Sequence, residues 1–108
     1  MSESLDRAFA ALADPTRRAI LARLAEGEAS VGELAEPFDM SQPAISRHLR
    51  VLEEAGLVEA GRAGKARPRR LAPGGIAPMR RFVDEMTTYW PDRFDRLAEF
   101  LDQKKERS

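Results

Sequence analysis

Between Ser41 and Arg50 the chain carries side chains suited to one kind of chemistry, the reading and gripping of a polyanion. The run is Ser41-Gln42-Pro43-Ala44-Ile45-Ser46-Arg47-His48-Leu49-Arg50. A glutamine amide can bond the edge of adenine bidentately, and an arginine guanidinium can do the same to guanine. The short hydroxyls of Ser41 and Ser46 suit phosphates or bases, and Arg50, farther along, suits phosphate. His48 reads as a half-buried structural or phosphate-contacting residue. Catalysis finds little here. The chain has no cysteine and one histidine. No nucleophile or triad partner stands beside His48, and Gly74-Gly75 lacks the surroundings of a phosphate-binding loop. A non-enzymatic protein is expected, with no cofactor, no thiolate metal site and no metal site built on imidazoles.

These side chains need a helix behind them. On a helix, Leu49 and Leu52 lie within about 40° of Ile45, which makes a narrow apolar back. Pro43, Ser46, Arg47 and Arg50 then fall on the opposite side or flank, and Gln42 sits at the free N-terminal end. Ser41 can cap this helix, expected from Gln42 to about Ala55, with Gly56 as its stop. Ser30 can cap a shorter helix just before it, with Glu33 at the capping-box position and Leu34, Ala35 and Phe38 as its core face. A short helix, a tight connection and a longer helix with a polar, basic front form a helix-turn-helix pattern. Its second helix enters the major groove, N-terminal residues first.

Next come a strand over Leu57 to Gly61, a turn at Arg62-Ala63-Gly64-Lys65, and a returning strand over Ala66 to Leu71, weakened by Pro68. Arg62, Lys65, Arg67, Arg69 and Arg70 line this hairpin. Basic residues on a protruding hairpin can follow the DNA backbone or enter the minor groove, and they also guard edge strands against aggregation. Directly after a helix-turn-helix, the hairpin reads as a wing.

The rest of the chain supports this centre. Leu5, Ala8, Phe9 and Leu12 recur at helical spacing. Asp14-Pro15 opens a second helix, to about Ala25, with Ile20, Leu21 and Leu24 inward. After Pro73-Gly74-Gly75, the residues Met79, Val83, Met86, Trp90, Phe94, Leu97 and Leu101 make a nearly heptad seam. Pro91 cannot donate to the carbonyl of Thr87, so the spacing predicts one kinked helix or two helices nearly in line. The fold class is mainly α with a small β-hairpin, in the order α-α-α-α-β-β-α. It is expected as a single domain over 1–103, with the last helix near 76–103 and a frayed tail over 104–108.

Net charge is zero, but its distribution is uneven. Residues 41–81 hold 9 basic and 3 acidic side chains, whereas residues 1–40 hold 4 and 8. A basic middle between acidic flanks suggests a nucleic-acid face on an otherwise acidic body. No apolar run approaches the roughly 18 residues of a membrane span. The opening MSESLDRAF lacks the basic-then-apolar order of a signal peptide, so a cytoplasmic protein without a membrane partner is expected.

These segments together resemble the ArsR/SmtB repressors. SQPAISRHLRVLEEAGLV, Ser41 to Val58, is similar to the family's recognition helix and wing entry. ALADPTRRAIL, Ala11 to Leu21, is similar to its start, and SVGELAEPF, Ser30 to Phe38, to the preceding helix. The resemblance implies a winged helix-turn-helix homodimer, joined through its first and last helices and acting as a repressor on an inverted-repeat operator in double-stranded DNA. It places Leu5, Phe9, Phe82, Val83, Met86, Trp90, Phe94, Leu97 and Leu101 at the dimer interface. Metal-sensing members carry a Cys-Val-Cys-like element where this chain has Ser30-Val31-Gly32, which leaves soft metals without ligands. Arg69 stands where the family often has an aromatic. The metal-free members are the nearer match, through the Asp-Pro-Thr-Arg-Arg start and the tryptophan of the last helix. The residues identify no inducer. The alternatives are a winged-helix module that binds protein and a non-specific DNA-binding protein. Ser46, Arg47 and Arg50 argue against the former.

Overall fold

Asp14-Pro15 is the first punctuation the backbone obeys. The Asp14 carboxylate accepts the Arg17 N–H at 3.0 Å, and Pro15 occupies the first helical position, where a missing N–H leaves nothing unsatisfied. In this computed structural model, which describes residues 3–61, 67–89 and 91–106, the elements are α1 (Glu3–Leu12), α2 (Pro15–Leu24), α3 (Val31–Ala35), α4 (Gln42–Glu54), β1 (Val58–Ala60), β2 (Arg69–Leu71), α5 (Ala77–Tyr89) and α6 (Pro91–Glu106). They form two compact units, Met1–Pro78 and Met79–Ser108.

In the first unit α4 is the central element, in contact with α1, α2, α3 and β1. Ile20, Leu34, Ile45, Leu49 and Leu52 are fully buried, joined by Leu5, Ala8, Ala11, Leu24, Leu57 and Val58. Each fully buried leucine or isoleucine contributes about 1.5–3 kcal/mol, so the inner face of α4 alone supplies a large part of the core's stability. Phe38, expected on the core face of α3, is half-buried just beyond that helix.

The hairpin is antiparallel, with Val58 opposite Leu71, Glu59 opposite Arg70 and Ala60 opposite Arg69. The second strand is shorter than expected. Pro68 has no N–H to give a ladder, and β2 begins only at Arg69. A further piece of sheet was not anticipated: Ala29, between α2 and α3, pairs antiparallel with Arg69.

Two glycines set the path of the chain around the hairpin. Gly56 has φ +76°, which ends α4 in a left-handed turn. Its N–H donates to the Glu53 carbonyl and that of Leu57 to the Leu52 carbonyl, both at 3.0 Å, which closes a Schellman motif. Past the hairpin, Gly75 lies against this turn so closely that a Cβ there would stand 2.3 Å from the Gly56 carbonyl oxygen.

In the second unit the residues of the apolar seam lie on α5 and α6, on either side of position 90. Helix α5 begins at Ala77, with Ile76 in the preceding turn, and α6 extends to Glu106. Trp90 falls outside the described residues.

Two outcomes follow for stability. Gly75→Ala forces backbone to move and should lower the unfolding free energy by about 1–3 kcal/mol in denaturant titration; an unshifted midpoint would contradict the close approach. The Arg17 N–H, helped by the charges of His48 and Arg17, holds the Asp14 carboxyl below its ordinary value. The Ser30 N–H does the same for Glu33, with the Ser30 hydroxyl and Arg23 adding to it. Carboxyls with a lowered folded value stabilise above their unfolded value and lose that contribution as the pH falls toward the folded one. The melting temperature should therefore drop below about pH 4, and Asp14→Asn, which keeps a capping oxygen, should flatten that acid limb.

Candidate nucleic-acid interface

The two helices of the helix-turn-helix are set by their caps. At α3 the Ser30 hydroxyl accepts the Glu33 N–H at 3.1 Å, and the Ser30 N–H donates to the Glu33 carboxylate at 3.1 Å, a complete capping box. At α4 the Ser41 hydroxyl accepts the Ala44 N–H at 3.3 Å, and Pro43 lies in the first turn. Ile45, Leu49 and Leu52 are fully buried, while Gln42, Pro43, Ser46, Arg47 and Arg50 are exposed and His48 is half-buried. The exposed arc is polar and basic, as the helical spacing required.

Gln42 and Ser46 also border a cleft of about 560 Å³ together with Ser30, Val31, Gly32, Arg67 and Arg69. The Gln42 amide lies over Gly32, its Nε2 3.5 Å from where a Cβ would be. The start of α4 and the base of the hairpin thus converge on one opening. Pro43, Arg47 and Arg50 are exposed on α4 without lining it.

The hairpin arginines differ in their surroundings. Arg67 is exposed. The Arg69 Nε donates to Glu53 Oε1 at 2.7 Å. The Arg70 guanidinium donates to Glu59 at 2.8 Å and stands 3.8 Å from Glu28, and the Glu59 carboxylate pushes the Arg70 pKa up. Arg62 and Lys65 lie outside the described residues. A protruding basic hairpin and an ion-paired one share the same composition, so sequence spacing could not tell these arginines apart.

His48 leads to a residue that spacing alone did not single out. Arg17 NH1 lies 3.3 Å from the His48 Nδ1, while its Nε and NH2 donate to the carbonyls of Ala11 and Ala10 at 2.7 and 3.2 Å. One guanidinium thereby caps the end of α1, stands on α2 and reaches the outer flank of α4. A neutral ring that accepts at Nδ1 carries its proton on Nε2. Asp14 Oδ2, 3.9 Å from Nδ1, is the partner for a protonated ring. The Asp14-Pro15-Thr16-Arg17 start marked a helix beginning but not this long-range reach.

Among the described residues no group of three or more His, Cys, Asp or Glu is placed to hold a metal ion. No described helix is long and apolar enough to cross a membrane. Of the residues expected at a dimer interface, Leu5 is buried with Ala8 and Ala11 and so serves the core of its own chain. Phe9, Val83, Leu97 and Leu101 are exposed, and Phe82 and Met86 are half-buried. Phe94 lies on α6, its side chain outside the described set, as is Trp90. Phe100, 59% exposed, was not singled out; its spacing of three from Leu97 could have placed it on the same face.

Comparison with known proteins places this geometry among DNA-binding regulators. A family model described as bacterial regulatory protein, arsR family, matches residues 14–60. The chain is 45% identical over 101 residues to the HTH-type transcriptional regulator Rv2034 of Mycobacterium tuberculosis, covering 94% of this chain and 92% of that protein. It is 41% identical over 61 residues to the transcriptional repressor SdpR of Bacillus subtilis, covering 56% and 68%. Among solved structures, the homodimeric winged helix-turn-helix DNA-binding domain of a possible ArsR-family regulator from Mycobacterium bovis matches with a TM-score of 0.65 at 31% identity, covering 82% of each chain.

The Arg17 joint has a measurable weight. Charge-assisted hydrogen bonds to backbone carbonyls each contribute about 1–2 kcal/mol, so Arg17→Ala should lower the unfolding free energy by at least that much. Arg17→Lys should restore little, because one ammonium cannot span three acceptors fixed by a planar fork. Full recovery by lysine would mean that only the charge matters.

Proposed function

Since the chain belongs to the ArsR family of bacterial regulatory proteins, we propose that it is a homodimeric, sequence-specific transcriptional repressor that binds an inverted-repeat operator in double-stranded DNA. It works in the cytoplasm, catalyses nothing and senses no soft metal. The observation that carries this reading is the division of α4, with Ile45, Leu49 and Leu52 fully buried and Gln42, Ser46, Arg47 and Arg50 exposed. A helix held this way presents donors and cations outward along one arc, the arrangement a recognition helix needs.

In this reading Gln42 and Arg47 contact base edges. Ser41, Ser46, His48 and Arg50 meet phosphate, and Pro43 packs against the groove wall. On the wing, Arg67 follows the backbone together with Arg62 and Lys65. Arg70, paired with Glu59 and Glu28, contributes mainly to the local field. Residues 1–103 form the working domain, with the helical segment from about 76 to 103 as its dimerisation element. Leu97, Phe100 and Leu101, spaced three and four apart and more than half exposed, form an apolar face on α6 that a second copy would cover. Phe9 and Val83 are further exposed apolar candidates for the same interface. The SdpR relative is named a repressor and the Mycobacterium bovis domain is called homodimeric, which supports both parts of the reading. Two recognition helices in a dimer call for half-sites about one helical turn, roughly 34 Å, apart.

Gln42→Ala and Arg47→Ala should each weaken binding to a preferred duplex by about 1–3 kcal/mol and leave random duplexes nearly unaffected. Equal losses on both would remove the base-reading roles. Leu97→Asp with Leu101→Asp should yield a folded monomer in sedimentation at micromolar concentration; a persisting dimer would place the interface elsewhere.

A further inference from the structure

Arg69 stands among basic residues of the hairpin, where an arginine would be expected to face phosphate. Its surroundings tie it inward. Its backbone N–H donates to the Ala29 carbonyl at 2.8 Å, and its own carbonyl accepts the Ala29 N–H at 3.1 Å. Its Nε donates to Glu53 Oε1 at 2.7 Å, and NH1 donates to the carbonyl of Arg67. Three separate parts of the first unit meet at this residue: the connection between α2 and α3, strand β2, and the last turn of α4.

The pair is sheltered, with the Arg69 side chain 20% and the Glu53 side chain 35% exposed. A guanidinium held this way has its planar fork oriented and its charge compensated by a neighbouring carboxylate. A DNA phosphate approaching it would meet Glu53 as well. Arg69 also borders the cleft in which Gln42 and Ser46 of α4 face Arg67 of the hairpin. Backbone bonds hold the hairpin itself, with the Gly61 N–H donating to the Pro68 carbonyl and the Ala72 N–H to the Leu57 carbonyl beyond the paired strands, while the Arg69–Glu53 pair is a side-chain tie from β2 to α4.

We propose that Arg69 is a positioning residue: its pair with Glu53 sets the wing against the recognition helix, so that Gln42, Ser46 and Arg67 engage one duplex together. This rests on the DNA-binding reading above. Arg69 itself does not touch DNA.

The test titrates a preferred duplex over a range of salt with Arg69→Gln, Glu53→Gln and the exchange Arg69→Glu with Glu53→Arg, at a temperature where all are folded. Arg67→Ala serves as the reference for a phosphate contact. Each single variant should lose about fivefold in affinity while keeping the wild-type salt slope, whereas Arg67→Ala should lower that slope by about one. The exchange, which leaves a glutamate on the wing, should recover most of the lost affinity. A slope lowered by about one in Arg69→Gln with no recovery by the exchange would overturn the proposal, as would unchanged affinity in both single variants. Absence of binding by the wild-type protein would instead sink the DNA-binding reading. The joint would then be judged by hydrogen exchange at the Ala29 and Arg69 amides: faster exchange in Glu53→Gln supports it, and unchanged exchange overturns it.

Discussion

The burial of Ile45, Leu49 and Leu52 is the constraint on which the rest of the first unit depends. These side chains are spaced four and three apart, and once all are removed from water the helix has a single rotational setting. Everything on its other side is then placed without further choice. Ser46, Arg47 and Arg50 cannot turn inward unless that core is emptied, at a cost of about 2–5 kcal/mol for each large side chain lost. The outward polar arc is thus a consequence of the core, and any function assigned to it inherits that rigidity.

A helix with a fixed rotation still needs fixed ends and fixed neighbours. Ser41 and Gly56 provide the ends through their hydrogen bonds to the first and last turns. Two arginines provide much of the rest. Arg17 reaches from α2 to the carbonyls ending α1 and to His48 on the outer flank of α4. Arg69 reaches from β2 to Glu53 near the C-terminal end of α4. Both are cations used within the protein. Arg69 lies in the basic middle of the chain, where cations are most readily assigned to DNA, so part of that charge serves the fold.

What could be read in advance was what acts over short stretches of chain. The Ser30–Glu33 capping box, the Asp14-Pro15 start, the Ser41 cap and the Gly56 stop each involve residues a few positions apart, and each has one favourable geometry. The inner face of α4 was legible for the same reason. The missed features join distant residues. Ala29 pairs with Arg69, Arg17 meets His48, and Gly75 fits under Gly56; nothing local in the sequence marks any of them. Leu5 shows a related limit. An apolar residue on an amphipathic helix faces something, and periodicity does not say whether that is its own core or a second chain.

The central claim is that the outer arc of α4 reads sequence. Selection of duplexes from a random pool by the purified protein, at near-physiological salt, tests it most directly. The account predicts enrichment of an inverted repeat with half-sites about one helical turn apart, since two identical recognition helices must meet the same groove pattern twice. Recovery of duplexes with no shared sequence, held only by salt-sensitive contacts, would contradict it and leave the arc as a non-specific grip on the phosphate backbone.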